Sequence, residues 1–150
     1  MISIKTVILL LTFHYISDFL LQSREMAENK GKSIGWLTLH VFIYSVAMSF
    51  GFHILSGFEY TSDMMVKIIH FFIITFSTHW ITDFITSKIS SYFWLRNLGK
   101  KFSFMVGEIE EIPTSENEKA KFRGRFWNTI GADQLIHTTT LLLTWLYLIG

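Results

Sequence analysis

Three pairs of histidine and aspartate, each four residues apart, are the part of this sequence best suited to chemistry. The pairs are His14 and Asp18, His79 and Asp83, and, in reverse order, Asp133 and His137. Because residues i and i+4 share one face of a helix, each pair can present an imidazole and a carboxylate to the same point. These groups are ligands for divalent metals and are also the usual partners in acid–base catalysis.

Each pair lies in or beside an apolar segment long enough to cross a bilayer. Four segments, at about 2–22, 34–56, 64–87 and 130–149, reach the length of roughly 20 residues that a transmembrane helix needs. Half of the 150 residues are hydrophobic and 17% are aromatic. The sequence predicts an all-α fold in one domain, a polytopic membrane protein with a bundle of four transmembrane helices. Ionisable groups are costly in hydrocarbon, so their presence indicates a function.

The basic residues predict the orientation of this bundle. Eleven of the thirteen Lys and Arg residues, all except Lys5 and Lys67, fall in the connectors at 23–33 and 88–129. The positive-inside rule makes both connectors cytoplasmic and puts the two termini and the turn around Glu59 outside a bacterial inner membrane. We expect 88–129 to be a long cytoplasmic loop that begins with a segment on the membrane surface and continues as a mobile polar stretch.

Composition excludes several classes of site. Cysteine is absent, which excludes disulfides, thiolate metal sites and cysteine nucleophiles. The net charge of +1 without a basic face argues against nucleic acid as a partner. A metal must therefore be held by imidazole and carboxylate.

In this orientation all four helices bring their polar groups to a similar depth near the cytoplasmic side. Seven groups are expected to converge as metal ligands: His14, Asp18, His40, His79, Asp83, Asp133 and His137. The two other histidines lie toward the opposite helix ends. His53 is about 220° around its helix from His40, and His70 about 180° from His79. We expect both outside the site.

The surplus of ligands leaves two arrangements open. Either two metals share the site, or some carboxylates orient the histidines and take protons from a bound water. Asp18, Asp83 and Asp133 are the candidate catalytic groups, and Gln22, Tyr44 and Gln134 are candidate supporting partners. Zinc is the first expectation, with manganese or iron as alternatives. Lys88, Arg123 and Arg125 are candidates for binding a phosphate head group.

The order of these motifs resembles a family of small bacterial and phage membrane proteins of unassigned function. The motifs are His14-x-x-x-Asp18-Phe19-x-x-Gln22, then His40, His79-x-x-x-Asp83, and Asp133-Gln134-x-x-His137. The resemblance covers nearly the whole chain except the third connector. This family is distantly similar to inner-membrane metal-dependent hydrolases of the YdjM type, which implies a metal and a hydrolytic role.

Three functions remain in play. The first is a membrane-embedded metal-dependent hydrolase acting at the cytoplasmic leaflet on a lipid or lipid-linked phosphate or ester. The second is a non-enzymatic interaction protein, for example a phage-encoded factor, in which the cluster is a structural metal site or a hydrogen-bonded core. Its partner would be another membrane protein or a second copy of the chain. The third is an ion or proton transport component, disfavoured because the outer halves of the first and last spans are almost purely apolar.

Overall fold

The computed structural model describes residues 2–58, 60–103 and 108–149. Glu59, the centre of the expected outer turn, lies outside the described residues. The described chain is mostly helical, so the all-α class is confirmed. The helical elements are α1 (Ile4–Tyr15), a π-helical segment (Ile16–Leu20), α2 (Arg24–Asn29), α3 (Ile34–Leu55), α4 (Ser62–Asn97) and α5 (Glu116–Ile149). Two short strands, β1 (Lys100–Ser103) and β2 (Glu108–Glu111), connect α4 to α5.

Local sequence fixes where three of the helices begin. Ser3, Ser23 and Thr61 precede α1, α2 and α4 in extended conformation. The hydroxyl of each accepts a hydrogen bond from the backbone N–H three residues later. This satisfies a donor that the first helical turn leaves unpaired.

Among the described residues, two helices, α3 and α4, are long and apolar enough to cross a membrane. The four-span bundle is not confirmed by this criterion. Helix α1 has only 12 residues because the π-helical segment continues from Ile16. The apolar half of α5 contains Asp133, Gln134 and His137, which lower its mean hydropathy.

The expected long loop at 88–129 is corrected by the structure. Helix α4 continues to Asn97 and α5 begins at Glu116, so both helices extend well beyond the apolar spans. Aromatic contacts explain the extension, since the rings of Trp94 and Phe126 lie 5.1 Å apart between the two helices. Between them, β1 and β2 pair antiparallel, with Lys100 opposite Glu111.

The bundle has an apolar layer and a polar layer. Helices α1 and α4 run from the apolar layer into the polar one, and α3 and α5 run back. The apolar core consists of Leu10, Tyr44, Met48, Phe52, Met64, Phe71, Leu141 and Trp145. The histidines and aspartates lie one to two turns from this core, after it in the α1 and α4 directions and before it in α3 and α5. The apolar layer therefore closes one end of the polar layer.

Replacing Gly51 with alanine should loosen the contact between α1 and α3. A Cβ at Gly51 would lie 2.8 Å from Phe13 Cγ at the base of its ring, so the ring or the helix must move. We expect a loss of about 1–3 kcal/mol of stability, typical of overpacking, measured as a lower thermal midpoint in detergent.

Gly124→Ala is the matched control. It also lies in a helix, but no other described atom lies within 4 Å of the added methyl group. Alanine there should leave stability unchanged or raise it by up to about 1 kcal/mol through helix propensity. Equal midpoints for the two variants would contradict the close approach of α1 and α3.

Candidate metal centre

The polar layer assembles all seven expected ligand residues in one buried cluster. Helix α1 supplies His14, the π-helical segment Asp18, α3 His40, α4 His79 and Asp83, and α5 Asp133 and His137. None of these residues is more than 7% exposed. Burying so many ionisable groups is stable only when they are paired with one another or with a cation.

Four atoms at the centre of this cluster have the spacing of a metal site. His40 Nε2 lies 3.1 Å from Asp18 Oδ1 and 3.4 Å from Asp83 Oδ2. His79 Nε2 lies 3.4 Å from His40 Nε2 and 3.6 Å from each of the same carboxylate oxygens. A tetrahedral ion with bonds of about 2.0–2.1 Å requires donor atoms about 3.4 Å apart. Each of the five separations is close to that value, and Asp18, His40 and His79 form one set that could hold such an ion.

Asp83 connects this group of donors to a second one. Its Oδ2 faces His40 and His79, whereas its Oδ1 lies 3.0 Å from His137 Nε2. His137 Nε2 is also 3.3 Å from Asp133 Oδ1. Two sets, Asp18 with His40 and His79, and Asp83 with His79 and His137, could each hold a metal ion. One imidazole nitrogen binds one ion, so the arrangement accommodates one ion, or two that are bridged by the Asp83 carboxylate.

His14 supports the cluster and does not belong to either set. Its Nδ1 lies 2.9 Å from Tyr44 Oη, and its Nε2 lies 3.0 Å from Gln134 Oε1. Gln134 Nε2 in turn donates to Asp18 Oδ2 and to Asp133 Oδ2, each at 3.1 Å. This chain of hydrogen bonds fixes two carboxylates, so the structure corrects His14 from ligand to supporting residue.

The π-helical segment explains why His14 and Asp18 diverge. Leu21 N–H bonds to Ile16 O, five residues back, so the helix is wider here than an α-helix. A π turn changes the angle between residues i and i+4, and such turns are frequent at functional sites. Asp18 consequently faces His40, whereas His14 faces Tyr44. In the α-helical pairs the expected i, i+4 approach is present, at 3.6 Å for His79 with Asp83 and 3.3 Å for Asp133 with His137.

The expected supporting residues reach the cluster. Tyr44 stacks on the His79 ring with centroids 3.9 Å apart, and Gln22 Nε2 lies 3.3 Å from His40 Nδ1. His40 Nδ1 points away from the four central atoms. With the Gln22 amide turned so that its oxygen accepts from Nδ1–H, Gln22 would hold the ring as partners of ligating histidines commonly do.

Lys30 is a member of the cluster that sequence reasoning missed. It follows α2 and donates from Nζ to Asp83 Oδ2 at 2.9 Å. Burial alone would lower the pKa of Lys30, but the carboxylates of Asp83 and Asp18 outweigh it and raise the pKa above its usual range. The ammonium therefore stays charged at neutral pH and compensates part of the buried negative charge.

Thr86 is a second missed residue, and its hydroxyl donates to Asp133 Oδ1. Its spacing was a usable signal, because Thr86 follows Asp83 by three residues and shares its helix face. For Lys30 the usable signal was charge: the predicted core held three carboxylates and no lysine or arginine, so a cation from a nearby connector was to be expected.

The expected head-group residues lie away from the cluster. Lys88 is exposed and its Nζ lies 3.6 Å from the centre of the Phe84 ring. Arg123 donates to Asn97, and Arg125 stacks over Phe93. These cations have partners of their own and do not line the cavity beside the cluster, and their binding of a head group stays a prediction. His53 packs against the Phe58 and Tyr60 rings and His70 is exposed, which confirms that both lie outside the site.

Residues 6–150 match a family model described as a protein of unknown function, DUF3307. The chain belongs to this family. No curated protein and no solved structure matches it significantly. The expected membership of a family of unknown function is confirmed, and the similarity to YdjM-type hydrolases stays a prediction.

Metal binding should depend on the central histidines. Protein loaded with zinc or manganese is expected to retain about one or two equivalents, and the double variant His40→Ala/His79→Ala should lose them, as measured by plasma mass spectrometry. The control is His53→Ala/His70→Ala, which removes two histidines outside the cluster. Equal metal content in the two double variants would contradict the assignment.

Lys30→Met should destabilise the metal-free protein more than Lys32→Met does. Removing Lys30 leaves the Asp83 carboxylate buried without its cation, a change that costs roughly 3–5 kcal/mol. Lys32 is exposed and serves as the control. The measurement is the thermal midpoint in chelator and after adding zinc. We expect zinc to reduce the difference between the midpoints of the two variants, because the metal restores positive charge beside Asp83. Equal midpoints in chelator would exclude this role for Lys30.

Proposed function

We propose that this chain is a membrane-embedded metal-dependent hydrolase that cleaves a lipid or lipid-linked phosphate or ester at the cytoplasmic leaflet of a bacterial inner membrane. The observation that carries the proposal is a cavity of about 700 Å³ that is lined by Asp18, Asp133 and Gln134 of the cluster. Catalytic metal sites keep an open position for water and substrate, whereas structural sites are closed.

Exposed apolar side chains support the membrane location. Besides the two helices that are apolar enough to span, large hydrophobic residues face outward from several helices, including Phe50, Ile81, Leu135 and Leu143 at more than 50% exposure. Only 22% of the apolar window of α4 is buried. The core helix of a soluble protein would be mostly covered, and apolar surface on this scale needs a partner such as lipid.

The proposed metal ligands are His40, His79, Asp18 and Asp83, with His137 available to a second ion beside Asp83. When bound, a divalent metal makes a coordinated water nucleophilic near neutral pH and polarises the bond to be cleaved. Donor chemistry favours zinc, with manganese or iron as alternatives.

The remaining residues orient the ligands and handle protons. Asp133 lines the cavity and is the proposed proton acceptor, held by Thr86, Gln134 and His137. Gln134 also bonds Asp18, so it couples the proton acceptor to a ligand. The Lys30 ammonium lines the same cavity and neutralises charge beside Asp83.

Ion transport is disfavoured by the apolar layer. Buried, closely stacked Phe52 and Phe71, with Trp145 against Phe52, cover the end of the cluster opposite the cavity. A transport path requires polar groups or water on both sides.

A non-enzymatic membrane interaction protein is the second candidate. The Tyr44–His14–Gln134 chain favours it, because the buried Tyr44 and His14 and the half-buried Gln134 bond one another without a metal. A homo-oligomer or another membrane protein would be the partner in that case.

Asp133→Asn should separate catalysis from metal binding. We expect bound metal to remain and kcat to fall by roughly 100-fold or more, the usual effect of removing a general base. The assay uses metal-loaded protein with phosphomonoester, phosphodiester and acyl-ester lipids in mixed micelles, and chelator should abolish turnover. Asp63→Asn, an exposed acid of α4 paired with Lys67, is the control and should be fully active. Metal-loaded wild type that cleaves none of these lipids would reject the hydrolase in favour of the interaction protein.

A further inference from the structure

The cavity beside the cluster has features that narrow the ligand it accepts. It lies between the π-helical segment, the α2 region, the last turns of α4 and the first half of α5, with β1 and β2 at its edge. Its volume of about 700 Å³ is within the range of small-molecule sites, about 300–1,000 Å³. Asp18 and Asp133 of the cluster are among its lining residues.

Three lysines from different elements line this cavity. Lys30 and Lys32 follow α2, and Lys100 begins β1. The acidic residues of the lining are already engaged. Glu28 forms an ion pair with Arg24 at 2.7 Å, and Asp18 and Asp133 belong to the cluster. Lys32 and Lys100 are in none of the ion pairs found among the described residues, so their charges are available to an anionic ligand.

An unpartnered hydroxyl adds an independent indication of a ligand. Ser87 lines the cavity and is 7% exposed, and its Oγ has no hydrogen-bond partner among the described residues. A buried hydroxyl without a partner costs free energy unless a ligand or water satisfies it. Oxygen atoms of a phosphate group are strong acceptors for both hydroxyl and ammonium donors.

The rest of the wall suits a hydrocarbon chain. Trp94 and Leu95 of the last turn of α4, and Leu98 just after it, line the cavity together with Phe126 and Trp127 of α5. Leu98 is 47% and Trp127 61% exposed. These apolar side chains continue outward from the cavity, so a ligand that covered them would bury apolar surface.

We infer that the cavity binds a phosphate-bearing lipid, with the phosphate at Lys30, Lys32, Lys100 and Ser87 and the hydrocarbon chain against the aromatic wall of α4 and α5. The inference rests on the proposed function in one respect: it takes the bound lipid to be the substrate, whose phosphate is held next to the metal donors. Among the proposed substrates it favours lipid phosphates over uncharged esters. It also assigns phosphate binding to the lysines and serine of the cavity in place of Lys88, Arg123 and Arg125.

Tryptophan quenching by brominated lipids tests the inference without an activity assay. Trp94 and Trp127 lie in the cavity wall, so bound brominated chains should quench them in detergent micelles. We expect brominated phosphatidic acid to quench saturably, brominated diacylglycerol with the same chains to bind at least about tenfold more weakly, and inorganic phosphate not to displace the lipid. A Trp94→Phe/Trp127→Phe variant should lose the saturable component.

The variant Lys32→Gln/Lys100→Gln should weaken phosphatidic acid binding by about tenfold while metal content and thermal midpoint stay at the wild-type values. Ser87→Ala, which adds no bulk, should weaken it by roughly threefold. Lys88→Gln is the control and should bind like wild type. Equal binding of the two brominated lipids, or unchanged affinity in the lysine double variant, would overturn the inference. Displacement by inorganic phosphate would indicate a site for a soluble phosphate compound.

The same measurement on His40→Ala/His79→Ala separates this inference from the proposed function. Phosphatidic acid binding that persists in this variant, with no turnover by metal-loaded wild type, would reject the hydrolase and keep the lipid site. Metal-dependent cleavage of an uncharged ester, without selective binding of phosphatidic acid, would keep the hydrolase and reject the lipid-phosphate site.

Discussion

Three carboxylates buried inside a helical bundle are the constraint on which this structure depends. Moving an ionised carboxylate out of water costs several kcal/mol even after relaxation, so Asp18, Asp83 and Asp133 need compensating partners. The chain provides them from every direction: His40 and His137 at 3.1 and 3.0 Å, the Lys30 ammonium, and the Gln134 amide. The excess of carboxylates over fixed cations is what makes a divalent metal a suitable additional partner.

The rest of the fold follows from holding these partners together. Helices α4 and α5 extend far beyond an apolar span, and their extra turns, together with α2, form the walls of a cavity that reaches the carboxylates. Gly31 permits the segment after α2 to approach α4 closely, since a Cβ there would lie 3.0 Å from the Ser87 carbonyl oxygen. Lys30, the neighbouring residue, thereby reaches Asp83.

Sequence reasoning located the site well and its details less well. Spacing and helix direction were sufficient to bring His40, His79 and Asp83 together, because depth and face follow directly from a regular α-helix. They were insufficient for the His14–Asp18 pair, because a local change to π-helical geometry separates the two side chains without an obvious sequence signal. Lys30 was missed because the path of a short connector depends on packing at Gly31. The long loop was wrong because aromatic contacts such as Trp94 with Phe126 form only in the folded bundle.

X-ray absorption at the zinc or manganese edge of the metal-loaded protein tests the central claim most directly, since it identifies the donor atoms around the ion. If His40, His79, Asp18 and Asp83 are the ligands, a zinc spectrum should contain a shell of nitrogen and oxygen at about 2.0–2.1 Å and the outer scattering of two imidazole rings. That imidazole scattering should disappear from any metal left in His40→Ala/His79→Ala protein. A spectrum from wild type with oxygen donors alone, and no imidazole, would contradict the account.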